Sequence, residues 1–262
     1  LRSGLGADQV SGALMGLLTA EAILLDVAEL HDLDRIVTWL SAEQGKRSGV
    51  AKSARRKYSR FAGQLQPLAK VRITWFAKEG RDLARVSSID LIRPADRMQR
   101  ELDDILLGSY LRDHVLEFAQ EGEDSHLLFR LLDTTLEALL AGLPRDLTAR
   151  YFEIWVLRLQ GIFPAPWNCP VCGRAFGGGG AVLVEAEAAL VCPDCGGGVR
   201  VDAELLAFLR RVGRENLALL AANPPSVALL RRAEQISGRV RRHFLQRELR
   251  SYEVLARIAE GS

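Results

Sequence analysis

Polar and apolar positions alternate with a period near two over the first third of the chain, then recur at spacings of three and four over most of the remainder. The first rhythm predicts strands and the second amphipathic helices. Five strands are expected: "AILLDVAEL", "RIVTWLS", "RSGVAKS", "AKVRITWFA" and "LARVSSIDLI". Turns at 31–34 and "EQGK" separate the first three, and "KEGRD", with Gly80, makes a hairpin of the last two. In "VRITWF", Val71 and Ile73 face inward, and Trp75 and Phe76 compete for the next inner position. The longest connection, Ala54 to Pro67, lies between the third and fourth strands, as in a small OB-type barrel.

Pro94 closes that region and the rhythm changes. "ADRMQRELDDILLGSYLRDHVLEFAQEG" places Leu102, Ile105, Leu106, Tyr110, Leu111, Val115 and Phe118 on one helical face. "DSHLLFRLLDTTLEALLAG" forms a second helix, with Asp124 or Ser125 as cap and Gly142 as stop, and "RDLTARYFEIWVLRLQGIF" a third ending near Gly161. Beyond a cysteine-bearing segment, "DAELLAFLRRVGRENLALLAA" and "SVALLRRAEQISGRVRRHFLQRELRSYEVLARI" give two more, divided by Pro224 and Pro225.

The expected fold is therefore α+β and multidomain: an OB-fold β-barrel over 20–94, then an all-α domain over 95–166 and 200–262 that carries a four-cysteine zinc-finger insert over 167–199. Residues 1–19 read as an appended tag or an over-extended start, with strand-like material beginning only after Thr19.

All four cysteines lie in "CPVCGRAFGGGGAVLVEAEAALVCPDCGGG", as Cys169-x2-Cys172 and Cys192-x2-Cys195. A two-residue gap lets one tight turn aim two sulfurs at one ion. Pro170 and Pro193 pre-set φ inside each turn, and Gly173 and Gly196 are expected to continue it at positive φ. One Zn2+ is the expected occupant, with iron or unmetallated disulfides as alternatives. Four thiolates leave no open coordination position, so the metal is a structural staple.

The longest uncharged apolar run near the start, Val10 to Ala20, is 11 residues, against about 20 for a membrane helix, and a signal-peptide pattern is lacking. A cytoplasmic location without membrane contact is expected. Thirty-five basic against 33 acidic residues give a net charge of only +2, but the distribution is uneven. Residues 35–60 hold eight cations and one anion, residues 98–145 ten anions and four cations, and residues 210–250 ten arginines and three glutamates.

No catalytic constellation is apparent. His31, His114, His126 and His243 are scattered, and "GKRSG" at 45–49 lacks the earlier glycine and the Ser or Thr of a phosphate loop. "ELDD" at 101–104 would be a nuclease metal site or, more simply, a solvated helix face. The first basic block, Arg35, Lys46, Arg47, Lys52, Arg55, Arg56, Lys57 and Arg60, can track a phosphate chain. Tyr58 and Phe61 either stack on unpaired bases or plug the barrel end.

"DRIVTWLSAEQGKRSGVAKSARRKYSRFAGQLQPL" resembles the N-terminal barrel of the bacterial recombination-mediator family RecO, and "FLRR" and "HFLQRELRSYEVL" resemble its C-terminal helices. The paired cysteines stand where many members carry theirs. The resemblance implies a non-enzymatic DNA repair factor that binds single- and double-stranded DNA and anneals complementary strands. It implies RecR as partner, contact with the acidic C-terminal tail of the single-strand binding protein SSB, and help to RecA in replacing SSB. The basic residues of the barrel would contact phosphate, and location would be cytoplasmic, at the nucleoid. Arg239, Arg241, Arg242, Arg247 and Arg250 extend the DNA path, receive the SSB tail, or pair with the acidic helices. The alternative from another class is a zinc-ribbon adaptor that joins proteins and touches nucleic acid incidentally.

Overall fold

The computed structural model describes residues 16–77 and 83–252. Five strands, β1 (Gly16–Leu30), β2 (Asp34–Ser41), β3 (Gly45–Ala51), β4 (Lys70–Ala77) and β5 (Ala84–Arg93), close into a barrel in the order β1-β2-β3-β5-β4. All pairings are antiparallel except the short β3–β5 junction. This is the expected OB-like topology. The "KEGRD" turn, with Gly80, lies outside the described residues.

Strand β1 starts earlier than expected. Gly16 to Thr19 pair with Ala77 to Thr74, and the Thr19 and Thr74 hydroxyls are 3.0 Å apart, so these residues belong to the barrel and not to a preceding tag. Leu17 points to solvent there, which hides the alternation in the sequence. Residues 1–15 lie outside the described residues.

Trp75 takes the inner position and Phe76 the outer one. Inside the barrel Trp75 meets Trp39 with ring centroids 5.3 Å apart. Gly49 on β3 makes this pair fit: a Cβ there would sit 3.2 Å from the Trp39 ring and 3.0 Å from the Ala84 carbonyl oxygen.

A short 3-10 turn at Asp96–Gln99 leads into α1 (Leu102–Phe118), α2 (His126–Leu140) and α3 (Arg145–Leu159). The buried face of α1 is Leu107, Tyr110, Leu111, His114, Val115 and Phe118, whereas Leu102 and Ile105 are exposed, a rotation of about one position from the expected face at its start. Ser125 stands at the N-cap of α2 without a side-chain bond to the helix, and Asp124 Oδ1 accepts the His126 N–H at 3.2 Å. Gly142, at φ 85°, ends α2 as expected, and Gly161, at φ 71°, follows α3.

The insert forms a three-stranded antiparallel sheet of β6 (Ala181–Val184), β7 (Ala189–Val191) and β8 (Val199–Val201), with β6 central. The chain then runs through α4 (Ala203–Val212), α5 (Leu217–Ala222) and α6 (Val227–Leu245), capped by Asp202, Asn216 and Ser226. Two helices predicted as continuous are broken. Asn216 starts a new cap between α4 and α5, and Gln246 turns left-handed at φ 55° and stops α6. Among the described residues no helix is long and apolar enough to cross a membrane.

Barrel and helices meet along a seam built from the β2–β3 hairpin. Ser125 N–H donates to Ala42 O at 2.7 Å and Lys46 N–H to Gln120 O at 3.0 Å. Gly45, at φ 58°, admits the α1–α2 loop so closely that a Cβ would lie 2.4 Å from Glu123 O. On strands β4 and β5, Lys70 and Arg93 donate to Asp133 of α2 at 2.8 and 2.6 Å, and Arg93 donates to Glu137 at 2.8 Å.

Candidate nucleic-acid interface and metal centre

The basic block divides into three groups. Lys46 belongs to the seam, its Nζ donating to Leu116 O at 2.8 Å, and Arg47 folds beside Gln44 and Gly122. Arg35 stands half-buried on β2. Lys52, Arg55, Arg56, Lys57 and Arg60 are exposed on the link between β3 and β4, a run of successive turns.

That link is held in place. Ser53, at φ 57°, donates its N–H to Asp34 Oδ1 at 2.7 Å, and Arg55 N–H donates to Leu33 O at 3.0 Å. Further on, Phe61 is 1% exposed within the barrel core, and the Arg60 guanidinium lies 4.9 Å from its ring centroid. Phe61 is thus an anchor and offers no face to a base. Tyr58 is 89% exposed, with Lys57 Nζ 5.6 Å from its centroid, and does offer one. Arg55 is partly neutralised by Glu29 at 3.2 Å. Lys52, Arg56 and Lys57 have no carboxylate within salt-bridge distance among the described residues. The link is therefore an anchored, cationic ridge with one exposed aromatic ring, groups with the chemistry to meet phosphates and to stack on a base.

The C-terminal arginines are scattered by comparison. Arg241 is fully buried, donating to Glu153, to Tyr110 Oη at 3.0 Å and to Glu248 at 2.7 Å. Arg239 pairs with Glu185 at 2.5 Å, Arg242 with Glu248 at 3.0 Å and Arg247 with Glu117 at 2.5 Å, while Arg250 is exposed. Around Arg241, Arg150 lies 3.3 Å from Glu153 and 3.1 Å from Glu234. Burial alone would push the Glu153 carboxyl up, but Arg150 and Arg241 hold it below the usual carboxylate range. Burial brings the neighbouring His114 down to about 4 against the pull of Glu153. Neither Arg241 nor Glu153 was legible as core in the sequence, because the pairing between them spans 88 positions.

"ELDD" also resolves into pairing: Arg145 lies 2.6 Å from both Glu101 and Asp104 and 3.7 Å from Asp103. Among the described residues the one group arranged to hold a metal is Cys169, Cys172, Cys192 and Cys195.

Their sulfurs lie within 4.8 Å of one another, and Cys172 and Cys192 are 3.6 Å apart. A disulfide would need about 2.05 Å, whereas tetrahedral ligands at about 2.3 Å from zinc stand about 3.8 Å apart. The donor set therefore fits one four-coordinate ion. In the first knuckle Gly173, at φ 73°, returns its N–H to Cys169 O at 2.9 Å, as the spacing predicts. Gly196 does not take positive φ; it is small because a Cβ would meet Val191 Cγ2 at 3.0 Å. Burial opposes ionisation of Cys169, but the backbone N–H groups of Cys192, Cys172 and Val171 bring its thiol down to about 6. Neighbouring thiols Cys192 and Cys172 hold Cys195 up to about 12, so four thiolates need a cation among them.

The knuckles are joined outside by Arg174 and Asp194 at 2.7 Å and fastened inside to α4. Arg210 donates to Pro166 O and Phe176 O, both at 2.8 Å, and Arg214 stacks on Trp167 at 4.3 Å.

Residues 15–95 match the family described as Recombination protein O N terminal, and residues 99–253 match Recombination protein O C terminal. The DNA repair protein RecO of Anaeromyxobacter sp. (strain K) is 30% identical over 240 residues, covering 90% of this chain and 94% of that protein. The protein of the same name from Geobacter metallireducens is 33% identical over 192 residues, covering 73% of this chain and 78% of that one.

Proposed function

Because the chain belongs to the RecO family of DNA repair proteins, we propose that it acts as a recombination mediator whose barrel holds DNA along the β3–β4 link. The observation that carries this reading is the ridge of Lys52, Arg56, Lys57 and Arg60 around the exposed ring of Tyr58. Cations held on an anchored link release counterions from a strand at little further ordering cost, and the binding they give is indifferent to sequence. Arg35 and Arg55 border the ridge, and Lys46 and Arg47 serve the seam instead.

A factor that holds two strands on such a ridge lets complementary sequences find each other, which is strand annealing. We assign RecR, the acidic tail of SSB and, through them, RecA as its partners. Binding and exchange need no bond-making group. Zinc is the metal assigned to Cys169, Cys172, Cys192 and Cys195, as a clasp that ties the insert to α4. On this reading Arg241 serves the core, and Arg239, Arg242 and Arg247 steady the helices.

The test is binding of fluorescent single-stranded DNA across a salt series. Replacing Lys52, Arg56 and Lys57 with Ala should reduce the slope of log affinity on log salt by about 2, at about 0.7 per lost phosphate contact. It should also abolish accelerated annealing on SSB-coated strands. Full affinity and annealing in the triple variant would sink the barrel as the DNA site and favour a zinc-ribbon adaptor.

A further inference from the structure

The β3–β4 link does more than display charge, because it roofs a pocket of about 410 Å3 open to solvent. Its walls include Arg35, Ala54, Arg55, Phe61, Leu65 and Gln66. Two polar atoms here are enclosed without protein partners. Arg35 Nε has no acceptor, and no carboxylate among the described residues lies within salt-bridge distance of its guanidinium. Glu29 stands opposite Arg35 in the β1–β2 ladder, but its carboxylate is drawn to Arg55. The Gln66 amide donates to Gly63 O at 3.3 Å, which leaves Oε1 enclosed and unsatisfied.

Enclosed polar groups without partners are uncommon in folded chains and mark places where a ligand or ordered solvent completes the bonding. Free phosphate would answer the arginines, and its remaining O–H could donate to Gln66 Oε1, yet it makes no use of the apolar wall of Ala54 and Leu65. A nucleotide answers all three. Its phosphate accepts from guanidinium, its base carries edge N–H donors, and its flat face is apolar.

We propose that this pocket receives one unstacked nucleotide of a bound strand, with the phosphate on Arg35 and Arg55, the base against Ala54 and Leu65, and a base N–H on Gln66 Oε1. The proposal rests on the barrel being the DNA site and adds to it a preference: a paired base must leave its stack before it can enter, whereas a single strand supplies it freely. The ridge holds any strand, and the pocket favours an unpaired one.

A single-stranded oligonucleotide carrying 2-aminopurine, whose emission rises when it is unstacked, reports the event. On binding the native protein the emission should rise. Ala62→Trp fills the pocket from its exposed rim, with Ala62→Ser as the control for the position. The Trp variant should lose the rise and about tenfold in single-strand affinity while keeping duplex affinity and its melting temperature. Gln66→Leu, which keeps the side-chain volume, should lower single-strand affinity alone and serves if Ala62→Trp folds poorly. A bound strand without a rise in the native protein, a rise that survives Ala62→Trp, or equal losses on single and double strands would each overturn the pocket. If the native protein bound neither form of DNA, the barrel reading itself would fall, and the pocket with it.

Discussion

Arg241 looks in the sequence like one of a cluster of free arginines, yet its side chain is fully buried between Glu153, Glu248 and Tyr110. Removing one member of a buried pair leaves the other charged and without water, which costs about 3–5 kcal/mol. Arg241→Ala should therefore lower the stability measured by urea unfolding by about that amount, with DNA affinity per folded molecule unchanged. A loss below about 1 kcal/mol would mean that the charges are not mutually dependent. His114 adds a pH dependence of definite sign. With a folded value of about 4 against an ordinary 6.5, the unfolded chain binds the extra proton between those limits. Its contribution is present in full above about pH 6.5 and is lost as pH falls toward 4. Stability should drop over that window, and His114→Asn should flatten the slope there. The cysteines were legible because their partners lie within the same short motif. Arg241 and Glu153, 88 positions apart, were not, since nothing local marks which arginine the fold will enclose.

At the level of elements, the strands and helices announced themselves wherever one face is buried and the other wet. They did not where the context is unusual. Gly16 to Thr19 pair with β4 although Leu17 faces solvent, and α6 stops without glycine or proline. At the stop the chain folds back locally: Glu248 accepts from both Arg241 and Arg242, which draws it across the helix end. The four-cysteine element would depend on an ion held by its thiols, because its three short strands have little surface to bury. Chelation should release one zinc per chain, measured by mass spectrometry, and lower the melting temperature by about 5 °C or more. A metal-depleted protein that melts at the original temperature would remove the clasp from the account.

Over the whole molecule, the uneven charge is settled largely between parts of the chain. Acidic residues between 98 and 145 meet Lys70 and Arg93 of the barrel and Arg247 of the C-terminal part. The β3–β4 link keeps Lys52, Arg56, Lys57 and Arg60 together, exposed and without a carboxylate partner among the described residues, so a net charge of +2 is compatible with the proposed DNA-binding face. The seam makes barrel and helices one mechanical unit. Gly45→Val would set a branched side chain, at positive φ, against Glu123 O and Gln120 O, so it should split thermal unfolding into two steps and expose the α1–α2 loop to protease. One unchanged transition would show that the barrel and helices are coupled elsewhere. The ribbon is different in kind. The chain leaves the helical body after α3 and returns at α4, and these two helices hold each other directly, through Arg158 to Leu209 O at 2.9 Å and Trp155 to Val212 O at 3.0 Å. In the language of chain topology the insert is an excursion from a closed circuit. Loss of an ion from the four thiols would lengthen a loop, whose entropy grows only with the logarithm of its length, and would leave the circuit beneath it closed.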